Sequence, residues 1–94
     1  MYAVFRFKGE DLKIRRIYED DVIARQTIVK RDSRSLGMGG NEVYILVEGS
    51  EEALRRAREI AGEFEIRDEE AEKVYKKIKE EEEEASLGMG AIFG

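Results

Sequence analysis

"EDLKIRRIYEDD", residues 10–21, decides the fold. Ile14, Ile17, Tyr18 and Val22 recur at i, i+3, i+4 and i+8, which is helical spacing. Leu12, Ile14 and Tyr18 would also share one face of a strand, with Arg16 breaking the alternation. Read as a helix, the stretch gives a chain that begins β-α-β-β. Read as a strand, it gives an antiparallel β-meander followed by αβα. The helix is the reading adopted here.

The segments on either side are easier to read. Ahead of it, "YAVFRFK" alternates, with Ala3, Phe5 and Phe7 on one face and Tyr2, Val4 and Arg6 on the other, a strand closed by Gly9. Behind it, "DVIARQTIVKR" is rich in β-branched residues and reads as a second strand. A glycine-rich connection, "DSRSLGMGGN", leads into "EVYILVE", the clearest strand of the chain.

Ser50 is placed to N-cap a helix over about residues 50–61, with Glu51 and Glu52 in its first turn. Ala53, Leu54, Ala57, Ile60, Ala61 and Phe64 form its buried stripe. Pairs Glu51–Arg55 and Glu52–Arg56 have i,i+4 spacing, and Gly62 sits at the C′ position. Phe64 and Ile66 alternate in a short strand. Asp68 can then N-cap a last helix ending near Ala85, with a narrow stripe of Ala71, Val74, Tyr75 and Ile78. Past Ile78 that stripe runs into glutamates, so the last turns should project from the body.

The expected architecture is α+β: a single small domain over residues 1–85, a ferredoxin-like βαββαβ sandwich with an extra C-terminal helix. A glycine-rich apolar tail follows over residues 86–94. Such a fold hosts many unrelated functions, so function has to be argued from particular residues.

Composition closes most routes to chemistry. The 94 residues contain no Cys, His, Pro or Trp, and the net charge is −5. Disulfides, Cys/His zinc sites, iron–sulfur clusters and imidazole-activated nucleophiles are all excluded. No catalytic residue stands out, and a non-enzymatic role is expected; no cofactor is assigned. The charge is uneven: residues 1–34 carry a net +3 and residues 35–94 a net −8. An acidic chain is a poor ligand for nucleic acid. With no signal-peptide pattern, no membrane-length apolar run, no Cys and a Glu/Arg/Lys-rich, thermophile-like surface, the chain reads as cytoplasmic.

Three features remain as candidate sites. "SLGMG" occurs at residues 35–39 and again, letter for letter, at residues 86–90. The repeat suggests that the tail folds beside the 35–41 loop, or pairs with it across a dimer, through Leu36, Met38, Leu87, Met89, Ile92 and Phe93; two unrelated glycine turns are the alternative. The first copy has cations, hydroxyls and flexible backbone around it: Arg31, Ser33, Arg34, Ser35, Gly37, Gly39, Gly40 and Asn41. That is the chemistry of a phosphate- or nucleotide-binding loop, although no P-loop or dinucleotide fingerprint is present. The third feature is the run Glu80, Glu81, Glu82, Glu83 and Glu84, a solvated acidic face or a candidate for divalent cations, without EF-hand spacing.

The functional expectation is therefore a small binding module, a homo-oligomer or a subunit of a larger assembly. Its contacts would come from the 35–41 loop and the 86–94 tail. The alternative is a regulatory domain binding a small anion or nucleotide at residues 33–41.

Overall fold

The computed structural model describes the backbone of residues 1–93 and the side chains of residues 1–83. It holds four strands, β1 (Tyr2–Phe7), β2 (Thr27–Asp32), β3 (Val43–Glu48) and β4 (Glu65–Ile66), and three α-helices, α1 (Leu12–Glu19), α2 (Glu51–Ala61) and α3 (Asp68–Phe93). The strands form one antiparallel sheet in the order β2-β3-β1-β4. The α+β class is as expected.

Residues 12–19 are helical, so the meander alternative is not taken. The Asp11 carboxylate accepts the Lys13 N–H at 2.9 Å and caps the start of α1, while Ile14 and Ile17 bury its inner face. Asp20 ends the helix in an extended conformation. Its carboxylate then accepts the N–H groups of Val22 and Ile23, both at 3.0 Å, and starts a 3-10 turn over Ile23–Arg25. The strand expected over residues 21–31 is shortened for this reason and begins at Thr27. β-propensity could not register a side chain that captures two backbone donors.

Both faces of the sheet are covered. Ala3, Phe5, Phe7, Val43, Ile45 and Val47 face α1 and α2, meeting Ile14, Ile17, Leu54, Ala57 and Ala61. Val4, Tyr44, Leu46 and Ile66 face the other way and are buried with Ala71, Val74 and Ile78 of α3. Cover on both sides explains why "EVYILVE" carries no polar alternation across its middle: each face of β3 meets a helix layer.

α2 begins as expected, the Ser50 hydroxyl accepting the Ala53 N–H at 3.2 Å. Its ion pairs differ from the expected spacing. Arg55 joins Glu52 and Glu59 along the helix, and Arg56 reaches across to Asp20 at 2.8 Å. Gly62 is right-handed (φ −57°) rather than a left-handed C′ residue, because the chain runs on into a 3-10 turn over Gly62–Phe64. The left-handed position comes later, at Asp68 (φ 55°), where the chain turns out of β4 into α3.

α3 continues through Phe93, past the end expected near Ala85. Among the described residues, no helix is long and apolar enough to cross a membrane.

Candidate functional site

The 33–42 loop closes on itself. At its base Ser33 is fully buried; its N–H donates to the Glu42 carbonyl at 2.9 Å and its hydroxyl accepts the Glu42 N–H at 3.2 Å. The Ser35 N–H donates to the Asp32 carboxylate at 2.8 Å, Gly37 N–H to Arg34 O at 3.0 Å, and Met38 N–H to Ser33 O at 2.9 Å. Gly37, Gly39 and Gly40 all take positive φ (70°, 71° and 79°), the backbone freedom that glycine alone supplies cheaply. A groove of about 230 Å³ remains between the loop and the start of β3, lined by Arg34, Gly40 and Asn41 together with Asp32 and Glu42.

The cations expected to gather there separate. Arg31 turns to α3, its Nε donating to Glu81 at 2.7 Å, and Lys30 reaches Glu10 at 2.6 Å. Arg34 and Asn41 stay exposed beside the loop. Leu36, expected as a contact for a partner, is 6% exposed and belongs to the core under α3; Met38 packs partly against the same cluster. The apolar pull of that cluster folds the loop down onto the body. Leu87, Met89, Ile92 and Phe93 lie outside the described side chains.

α3 is fastened around its rim by polar contacts. Glu70 pairs with Arg6 and Glu81 with Arg31. Near the middle of the described part, Glu48 at the end of β3 accepts the Tyr75 hydroxyl at 2.7 Å and the Lys79 ammonium at 2.8 Å. Those two donors, Lys79 first, hold the Glu48 carboxyl below its usual range, and the same carboxylate raises the Tyr75 phenol. Tyr2 stacks on Tyr75 with ring centroids 4.0 Å apart. Tyr44 lies under the helix, 2% exposed, where desolvation foremost raises its phenol. Tyr2 and Tyr44, the aromatics of this sheet face, are thus both engaged under α3.

Of the acidic run, Glu81 is committed to Arg31, and Glu84 lies outside the described side chains. Among the described residues no three carboxylates stand together as a metal site.

A further feature was not anticipated: a cleft of about 780 Å³ beside β4, lined by Tyr2, Ala3, Arg58, Ile66, Arg67 and Glu69 among others. It exists because β4 pairs with β1 at only two positions, Val4↔Ile66 and Phe5↔Glu65, before Asp68 turns the chain away. The side chain of Glu65 at its edge is 5% exposed and held by Arg58 and Arg67. The brevity of "EFEI" before "RDEE" was the one sequence signal for it.

Set against protein-family models, curated proteins and solved structures, the chain matches none.

Proposed function

We propose that this chain is a small protein-interaction module acting by binding, with the C-terminal arm of α3 and the exposed rim of the 35–41 loop as its contact surface. The partner is a second copy of the chain or another protein. The observation that carries this reading is the length of α3. It spans 26 residues, yet the last of its described side chains to bond the body is Glu81. Twelve further residues add about 18 Å of helix at 1.5 Å each. From Ala85 that arm reads "ASLGMGAIF", uncharged and apolar, a composition that favours burial against a partner. A helix of this length has little stability in water by itself.

In the same reading residues 1–66 are ferredoxin-like. The order β1-α1-β2-β3-α2-β4 and the strand order β2-β3-β1-β4 support it. α3 is then the addition, and by covering the second sheet face it leaves the arm and loop as the surfaces for recognition. The phosphate- or nucleotide-binding alternative draws less support, since an anion in the loop groove would face the Asp32 and Glu42 carboxylates.

Deleting residues 84–94 tests the proposal. Self-association measured by sedimentation should weaken at least tenfold, with the melting temperature of the body nearly unchanged. For a heterologous partner, recovery from lysate should fall in parallel. Equal association and equal recovery for the two chains would overturn the reading.

A further inference from the structure

We infer that two copies of this chain pair by exchanging α3, each helix seating on the other copy's sheet with the segment around Asp68 as the hinge. This deepens the proposed function, on which it rests only in taking a second copy as partner; the residues involved are different ones.

Three independent observations converge on the hinge. Asp68 holds φ at 55°, a left-handed conformation that L-residues adopt at a cost, with no glycine to relieve it. Only Arg67 separates it from β4. Short connections under strain are the ones that open into exchanged dimers.

The second observation is the cleft beside β4. Pairing of β1 with β4 stops at Val4↔Ile66. The Gly49 N–H donates to Met1 O at 3.0 Å, so by the alternation of an antiparallel ladder odd residues of β1 face β3 and Tyr2 faces the β4 side. Tyr2 therefore has no strand neighbour there, and the cleft of about 780 Å³ occupies the place. Straightening residues 67–68 would carry β4 onward in the same register, Arg67 opposite Ala3 and Asp68 opposite Tyr2. The opened hinge thus removes the strained turn and fills the cleft.

The third observation is how α3 is held. Ala71, Val74 and Ile78 seat it on the sheet, and its described links to the sheet strands, Glu70–Arg6, Glu81–Arg31, Tyr75–Glu48 and Lys79–Glu48, join it across elements. All of these form equally well between two chains, so exchange gives up only local bonds at the hinge, such as Ala71 N–H to Arg67 O at 3.4 Å, against the new pairing of β4 with β1.

The absence of cysteine makes the test clean. Arg6→Cys and Glu70→Cys are placed on separate copies of the full chain, which are unfolded together, refolded and treated with a short bis-maleimide. Exchange yields a covalent two-chain product on a denaturing gel; a product absent from the mixture, with the double variant linking only within one chain, overturns the inference. Hinge variants give a second readout. Asp68→Gly accepts the closed turn and should weaken the dimer about 100-fold, about tenfold at each hinge. Asp68→Val resists positive φ, being β-branched, yet keeps the N–H that the extended β4 would donate to Tyr2, and should tighten it by a similar factor. Dimer affinities unmoved by both changes would also count against it. The chain ending at Glu83 separates the two readings. Unchanged affinity with cross-linking between chains keeps exchange and removes the arm; weakened affinity with cross-linking only within chains does the reverse. A monomer at every concentration refutes exchange and self-association together.

Discussion

Ile78→Ala measures how firmly α3 belongs to the body. Ile78 is fully buried and is the last described apolar residue on the helix stripe, meeting the layer that contains Val4, Leu36, Tyr44 and Leu46. Truncation removes about three carbons, worth about 2.4 kcal/mol at about 0.8 kcal/mol each. A residual void of about 40 Å³ adds about 1 kcal/mol at ~24 cal/mol per Å³. The expected loss is about 3.5 kcal/mol, a large share of the stability of a domain this small. In urea, with a slope of about 1.3 kcal/mol per molar, the midpoint should fall by about 2.7 M. Leu12→Ala is the control, because Leu12 is 68% exposed and its loss should stay within about 0.5 kcal/mol. Far-UV circular dichroism and tyrosine fluorescence should report the same midpoint if α3 unfolds with the sheet. A loss under about 1 kcal/mol for Ile78→Ala would refute the view that α3 is an integral layer. It would leave the second sheet face stabilised by the loop and strands alone.

Three further outcomes follow from single contacts. Gly49→Ala sets a Cβ into clash with Gln26 Oε1 and 2.9 Å from Gln26 Cβ, so Gln26 must swing out and release the Ser50 N–H it accepts at 3.2 Å. The cost should be about 1–2 kcal/mol in thermal melts, partly recovered by Gln26→Ala, which clears the amide but leaves the Cβ. Ser50→Ala removes the cap on α2 and should cost about 1 kcal/mol, while Ser50→Asp should restore it, both read from melting temperature. Asp20 supplies a pH signature. Its carboxylate takes a forked pair of bonds from Arg56 and two backbone N–H bonds, which hold it at about 2 against 3.8 for the free side chain. The stabilisation is fully present above the unfolded value and drains away as pH falls through about 2. Urea midpoints of Asp20→Asn should therefore decline less between pH 4 and 2 than those of the parent; parallel declines would refute the assignment.

How much of this was legible in the sequence depends on how strongly local pattern and tertiary contact agree. β1 and β3 were readable because their apolar residues are continuous or alternate without interruption. α2 was readable because cap, first-turn acids and stripe coincide. α1 was harder: eight residues serve either period, and the deciding contact, the Asp11 cap on Lys13, is one hydrogen bond. The 3-10 turn after Asp20 was not legible, since it depends on one carboxylate taking two backbone donors and an arginine 36 residues away. The candidate site fared less well for a related reason. Arg31, Arg34 and Ser33 are neighbours in sequence, but strand alternation and burial send them to a helix, to solvent and into the core. One clue was present. A strand apolar at every central position, "VYILV", calls for cover on both faces, and only the Ala71–Ile78 stripe was left to provide it.

The repeated "SLGMG" takes two different conformations in one chain. At residues 35–39 the five letters form a loop with Gly37 and Gly39 left-handed; at residues 86–90 the same letters continue the α3 backbone. Intrinsic preference is identical in the two places, so context decides. In the first copy, burial of Leu36 and the Ser33–Glu42 clasp hold the turn. In the second, a helix already formed from Asp68 propagates at the modest cost of one residue at a time, although each glycine adds about 1 kcal/mol relative to alanine. A helix carried across two glycines beyond a run of five glutamates draws little support from its own sequence. That is why the arm is the part of the molecule whose conformation should respond most to a partner, and why the first copy, already committed to the core, should respond least.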